Sequence, residues 1–264
     1  MSSNIVESIH DGFSIVIPTW KNLAYLTACI HSIKRNSTLD HQILVYVNEV
    51  NTKYITYLQS QDITFMTSEK NGGVTVINYL RSLVGKSVIC YINDDMYVLP
   101  EWDTNLIRFC ESNSVPKNAW ISSTMIEPVG GCNKCCVVRD YGRSVSTFQE
   151  QKLLQEYKAL YRSHVTGTTW PPNLMHVDTW DAVGGLSTEY GIGVGTDPDL
   201  AKKLWDNGTR DFIGVGNSLV YHFMCKTTSR MRPNNSKEIF QKKHGMTMES
   251  FIKQTLKRGS RWQG

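Results

Sequence analysis

Asn93, Asp94 and Asp95 stand together directly after an apolar run, Ser87-Val88-Ile89-Cys90-Tyr91-Ile92, that reads as a buried strand. Carboxylates are strongly hydrated, so a strand that ends in them ends at a cleft or at a cation. A hard divalent cation takes oxygen ligands and keeps positions open for phosphate oxygens. The stretch therefore points to a metal-assisted site for a phosphorylated substrate; a solvated turn is the competing reading, since Asn and Asp are ordinary turn formers. A second group, Cys132, Cys135 and Cys136 beside glycines, has the spacing of half a zinc site. No second Cys or His pair follows at finger-like spacing, which favours reduced structural thiols.

The elements that would position these groups alternate. Phe13 to Ile17 is a β-branched strand ended by Pro18, and the spacing of Leu23, Leu26, Ile30 and Ile33 predicts a helix over 22–35 with Asn22 as its cap. Strands follow over 42–47, 63–66 and 88–92, with helices over 51–60 and 74–83 between them. Strand–helix alternation of this kind predicts a parallel, doubly wound α/β sheet. Thr19-Trp20, Asn48-Glu49, Asn71-Gly72-Gly73 and Asn93-Asp94-Asp95 all lie just past a strand's carboxyl end, the edge at which open parallel sheets bind ligands. The second half is less regular. It predicts helices over 105–110, 148–161, 178–183 and 198–205, strands over 119–126 and 218–223, and a loop over 132–143. Asp197 falls near one helix start and His222 near one strand end.

The 264 residues, 41% hydrophobic and 20% charged, suit one large soluble α/β domain. No apolar run approaches the ~20 residues of a membrane-spanning helix, and residues 1–12 lack a signal peptide's pattern, so a cytoplasmic location is the default. The net charge of +4 is uneven, with ten Lys or Arg against two Glu from Lys226 to Gly264. That segment reads as a solvated helical end, as a basic flap over a diphosphate, or as a patch that touches anionic lipid at the inner membrane face. Nucleic acid is not indicated, since no recognised motif accompanies the charge. Cys29, Cys90, Cys110 and Cys225 sit in apolar or helical contexts and read as core.

Taken in order, Ser14-Ile15-Val16-Ile17-Pro18-Thr19-Trp20, Val45-Tyr46-Val47-Asn48, Asn71-Gly72-Gly73 with Asn78, Tyr91-Ile92-Asn93-Asp94-Asp95, Val183-Gly184-Gly185, Thr196-Asp197-Pro198-Asp199-Leu200 and Val220-Tyr221-His222 resemble glycosyltransferase family 2. These are inverting, sugar-nucleotide-dependent enzymes of the GT-A fold, a Rossmann-like, mainly parallel sheet flanked by helices with a smaller acceptor-side region. The resemblance covers about 13–222. It implies a single domain over 1–264, with a nucleotide-sugar half at 13–110, an acceptor and catalytic half at 111–225 and a basic segment at 226–264.

The resemblance also implies roles. Pro18, Thr19 and Trp20 would line the base and ribose pocket, and Asn48 stands where the family has an Asp contacting the base. Asn71, Gly72 and Gly73 would approach the nucleotide, with Asn78 beside them. Asn93, Asp94 and Asp95 look like the DXD motif for ribose, diphosphate and metal; with Asn in the first position, Asp95 becomes the stronger ligand. His222 would complete the coordination of Mn²⁺ or Mg²⁺, and Asp197 matches the catalytic base, with Asp199 as the fallback. The implied donor is a nucleotide-diphosphate sugar, a UDP-sugar first. The acceptor is a glycan, a lipid-linked saccharide or a protein, as in polysaccharide synthesis. Arg230 and Arg232 would add charge on a closing loop, and Trp102, Trp170 and Trp180 would stack on an acceptor sugar or pack in the core. Two readings compete: a sugar-nucleotide-binding protein without catalysis, kept open by Asn93, and a nucleotidyltransferase, disfavoured by a first loop without glycine. A nicotinamide-dependent dehydrogenase is excluded by the missing Gly-x-Gly-x-x-Gly.

Overall fold

The computed structural model describes residues 4–130, 135–192, 194–224 and 235–264. In chain order, α1 (Val6–Ile9), β1 (Ser14–Thr19), α2 (Leu23–Asn36), β2 (Gln42–Asn48), α3 (Thr52–Ser60) and β3 (Thr64–Ser68) come first. They are followed by α4 (Ile77–Leu80), β4 (Val88–Tyr91), β5 (Met96–Val98), α5 (Trp102–Asn113), β6 (Trp120–Glu127) and β7 (Val137–Val138). Next come α6 (Glu150–Glu156), β8 (Val165–Thr166), β9 (Asn173–His176), α7 (Val177–Ala182), α8 (Thr196–Asp206) and β10 (Phe212–His222). The chain closes with α9 (Ser236–His244) and α10 (Met248–Ser250).

Continuous apolar runs place β1, β2 and β4 in the middle of one sheet of order β3-β2-β1-β4-β9-β6-β10-β5. β3, β2, β1 and β4 run parallel, as do β6 and β10. β1 is buried at every position, as a strand covered on both faces must be. One core face packs Ile15, Ile17, Val45 and Val47 against Leu26, Ile30 and Leu58 of α2 and α3. The other packs Val16, Leu44 and Tyr91 against Ile77 of α4 and Leu200 and Leu204 of α8. Among the described residues no helix is long and apolar enough to cross a membrane.

The sheet is mixed rather than wholly parallel. β9, which the sequence does not announce, lies antiparallel between β4 and β6, and β5 pairs antiparallel with β10. β10 begins at Phe212, earlier than expected, because Gly214-Val215-Gly216-Asn217 reads as a turn but forms an irregularity between Val215 and Leu219 within one strand. The helix expected over 74–83 is a short α4 between two 3₁₀ turns. The loop expected over 132–143 contains β7, paired with β6. Asn22 holds the N-cap position of α2 without a side-chain capping bond; its Nδ2 donates to Asp94 instead.

Cys29, Cys90, Cys110, Cys135 and Cys136 are buried free thiols; Cys132, Cys225, Arg230 and Arg232 lie outside the described residues. The basic C-terminal segment is more than a solvated end. α9 buries Ser236 and Phe240, and the chain beyond α10 returns to the sheet, where Gly259 N donates to Thr166 O at 3.0 Å and Trp262 N to His164 O at 3.0 Å.

Candidate active site

A cavity of about 270 Å³ opens at the carboxyl edge of β1, β2 and β4. Pro18, Thr19 and Trp20 from the end of β1, Asn48 from β2, and Asn71 and Gly73 from the loop after β3 line one side. Asn93, Asp94, Asp95, Asp197 and His222 line the other. Of the residues singled out from the sequence, Gly72 and Asn78 are not in this lining. Asn78 accepts from Leu186 N at 2.9 Å and donates to Leu186 O at 2.7 Å, so it fastens the loop that leads towards α8.

The side lined by Asn48, Asn71 and Gly73 is held by short local bonds. Asn48 donates from Nδ2 to Gly73 O at 3.1 Å and accepts from Gly72 N at 2.8 Å, while Asn71 Oδ1 accepts from Gly73 N at 2.8 Å. Gly73 has φ +72°, and a Cβ there would stand 2.9 Å from Ile192 Cα. Only glycine permits both that conformation and that approach. At the rim, Trp20 Nε1 donates to Glu49 Oε2 at 2.7 Å, and Lys21 lies over the indole at 4.8 Å. The ring is thus presented edge-fixed and half-buried, as a stacking platform requires.

Asp94 braces the loop after β4. Its oxygens accept from Thr19 Oγ1 at 2.7 Å and from Asn22 Nδ2 at 3.2 Å, and the Trp20 backbone N–H adds a third bond. Burial, and then the charge of Asp95, push its pKa up to about 7 against those bonds. Asn93 accepts from Tyr91 Oη at 2.8 Å.

Asp95 faces His222. Oδ1 of Asp95 lies 3.4 Å from Nε2 of His222, and Nδ1 of His222 lies 2.8 Å from Oε1 of Glu127 at the end of β6. Burial opposes the imidazolium, yet the charge and hydrogen bond of Asp95, with those of Glu127, hold the His222 pKa up at about 10. Carboxylate oxygen with imidazole nitrogen is a donor set suited to Mn²⁺ or Mg²⁺. Among the described residues no group of three or more His, Cys, Asp or Glu is arranged to hold a metal ion, so Asp95 and His222 would be the protein's ligands.

Asp197 sits in the first turn of α8, whose N-cap is Gly195 and not Asp197. Burial pushes its pKa up to about 7, with the charge of Arg258 acting the other way. Tyr91, in the same cavity lining, is raised chiefly by burial and then by the charges of Asp197, Asp95 and Asp94. Asp199 is spent on structure: it is fully buried and bonded to Ser187 Oγ at 2.5 Å, Tyr190 Oη at 3.1 Å, His244 Nε2 at 2.7 Å and Lys243 Nζ at 3.1 Å. It has no room to act as a base. Trp102, Trp170 and Trp180 are all buried and pack in the core, and Trp170 also underlies Arg258 at 5.4 Å.

Sequence reasoning missed Glu127, Asn22 and Arg258. Each is a polar residue whose partner is 72 or more positions away or outside any motif, as in Asn22 to Asp94, and no local signal marks it. A buried Glu closing an otherwise apolar strand, Trp120–Glu127, was the one legible hint.

Residues 14–115 match the family model Glycosyl transferase family 2. No curated protein matches the sequence. Among solved structures, GalNAc-T7 with UDP, GalNAc and Mn²⁺ superposes with a TM-score of 0.59 at 14% identity, over 79% of this chain and 43% of that one. S. aureus TarS 1-349 gives 0.57 at 12% identity, over 80% of this chain and 60% of that one. The same protein in complex with UDP gives 0.56 at 12% identity, over 79% and 59%. The chain thus spans between 43% and 60% of the length of these structures. The match over residues 14–115 agrees with the expected family, and the superpositions show the expected architecture, a mixed, mainly parallel α/β sheet of the GT-A type.

Proposed function

We propose that the protein is a metal-dependent inverting glycosyltransferase that moves a sugar from a nucleoside-diphosphate donor, a UDP-sugar first, to an acceptor hydroxyl on a glycan, lipid-linked saccharide or protein. The observation that carries this reading is the convergence of Asp95, His222 and Asp197 on the cavity that Trp20, Asn48 and Asn71 also line. The UDP and Mn²⁺ present in the GalNAc-T7 structure are consistent with it.

In this reading Trp20 and the Asn48–Gly73 brace receive the base and ribose. Asp95 and His222 hold a divalent cation, which when bound supplies Lewis-acid neutralisation of the leaving diphosphate. Asp197 takes the proton of the acceptor hydroxyl as its oxygen bonds to the anomeric carbon. The bond from that carbon to the diphosphate breaks on the opposite face, which inverts the centre. A carboxylate raised towards neutrality by burial is well matched to that task.

The test is a screen of sugar nucleotides for donor hydrolysis with Mn²⁺ and without acceptor. One donor cleaved above the rest supports the reading. No cleavage and no binding of any nucleoside diphosphate would overturn it. Binding without cleavage would favour the non-catalytic sugar-nucleotide binder, which Asn93 in the first DXD position keeps in view.

A further inference from the structure

Beyond α10 the chain runs back over the sheet as a strap. Thr166 N donates to Ser260 O at 2.9 Å, opposite the Gly259 and Trp262 bonds already described. Gly167 makes the seating possible. It has φ +78°, and a Cβ there would come within 2.6 Å of both Arg258 Cα and Leu256 O. The strap thereby delivers one side chain, Arg258. Its Nε donates to Gly167 O at 3.3 Å and its Nη2 bonds Thr169 Oγ1, while its guanidinium lies over Trp170 at 5.4 Å. A guanidinium has five N–H donors, more than these bonds use.

Arg258 looks two ways. Its charge reaches Asp197, the base of the proposed reaction. It also lines a second cavity of about 600 Å³, with Cys135, Lys237, Met248, Ile252 and Lys253. This lies within the range of small-molecule sites, roughly 300–1,000 Å³. Three cations face it and one carboxylate, Glu249, which is paired with Lys253 at 2.6 Å. Met248 and Ile252 give it an apolar wall. The wall thus combines a fixed, planar cation in Arg258, the lysines Lys237 and Lys253, the latter paired with Glu249, and an apolar strip.

We propose that this second cavity binds an oxyanion, phosphate or carboxylate, carried by a small polyhydroxylated molecule, and that Arg258 recognises that group. The proposal stands on the cavity and the cations that line it and does not depend on the glycosyltransferase reading. A planar fork stacked on an indole is the arrangement that binds such groups through two parallel hydrogen bonds.

The experiment uses the full chain with [¹³C-methyl]methionine, reading the Met248 methyl on titration without nucleotide. The probes are glycerol 1-phosphate and glucuronic acid, against glycerol and glucose. Glycerol 1-phosphate or glucuronic acid should shift the signal with at least tenfold higher affinity than its neutral counterpart. Whichever of the two binds tighter identifies the source of the anion. Arg258→Met should weaken the bound anion at least tenfold. Lys253→Glu, an exposed change that leaves the strap intact, should weaken it about threefold, so the result does not depend on the Arg258 variant folding. Equal binding of neutral and anionic probes, or anion affinity unchanged in both variants, would overturn the proposal. UDP with Mn²⁺ is titrated separately on the same sample, and its failure would count against the donor reading and not against the anion site.

Discussion

His222 Nε2 lies 3.4 Å from Asp95 Oδ1, joining the end of β10 to the loop after β4. Neither side chain is free to swing. Glu127 holds the far ring nitrogen, and Asp94, next to Asp95, is tied to Thr19 and Asn22. The pair is therefore set before any ligand arrives, which is what a precise metal–phosphate contact demands.

Mn²⁺ with UDP should raise the melting temperature. Ligand at a hundred times its Kd stabilises by about 2.7 kcal/mol, which for a chain of this size is about 5–10 °C. Asp95→Ala and His222→Ala should each lose the metal-dependent part of the shift. Thermal denaturation with and without EDTA reads the difference, and an equal shift in EDTA would remove the pair's role.

Glu127→Ala should lower Mn²⁺ affinity by about 10- to 100-fold, the usual cost of removing the group that orients a ligating histidine. Glu127→Gln should lose less, because an amide oxygen still accepts from Nδ1. Electron paramagnetic resonance titration of free Mn²⁺ in the presence of UDP measures both; unchanged affinity in the alanine variant would refute the assignment.

Asp197→Asn should reduce transfer by about 10²- to 10⁴-fold and leave UDP binding intact. A base acts in its ionised form. With burial pushing Asp197 up to about 7, kcat/KM should fall tenfold per pH unit below that value. Because the Arg258 charge works against burial, Arg258→Met should move this limb to higher pH. A limb that stays in place would separate the two residues.

Asp199→Ala should destabilise by about 3–5 kcal/mol, because it leaves buried charged and polar partners unpaired. Burial works against the Asp199 carboxylate, but the bonds from Ser187, His244 and Lys243 prevail and lower its pKa from 3.8. Its contribution is thus complete above about pH 4 and is lost as pH falls through the lower folded value. The gap in melting temperature between wild type and variant should close with acid, and a gap independent of pH would contradict the ion-pair account.

The nucleotide half was legible because its strands are unbroken apolar runs and its polar clusters fall at strand ends, so Pro18 to Trp20, Asn48, Asn71 and Asn93 to Asp95 could be placed at one edge before any coordinates. The second half hid its order. β9 has four residues, Asn173 and His176 among them, and no alternation that short stands out. β10 contains two glycines and an asparagine at its irregularity, the composition of a turn. Asp199 and Asp197 are indistinguishable as letters; the bonds to Ser187, Tyr190, His244 and Lys243 assign Asp199 to structure, while Asp197 lines the cavity. Arg258 is one cation in a basic run until the close approach at Gly167 fixes where it points.

The clasp of Asp199 by Lys243 and His244 makes the final stretch of the chain a working part of the cavity's far wall. The Asp197 carboxylate rides on the same helix that α9 locks from outside, two residues from the lock. Trimming the protein after β10 to obtain a smaller domain would strip the counterweight from that helix and open the socket now filled by Phe240. The shortened form would keep the Trp20, Asn48 and Gly73 side of the cavity while losing its hold on Asp197.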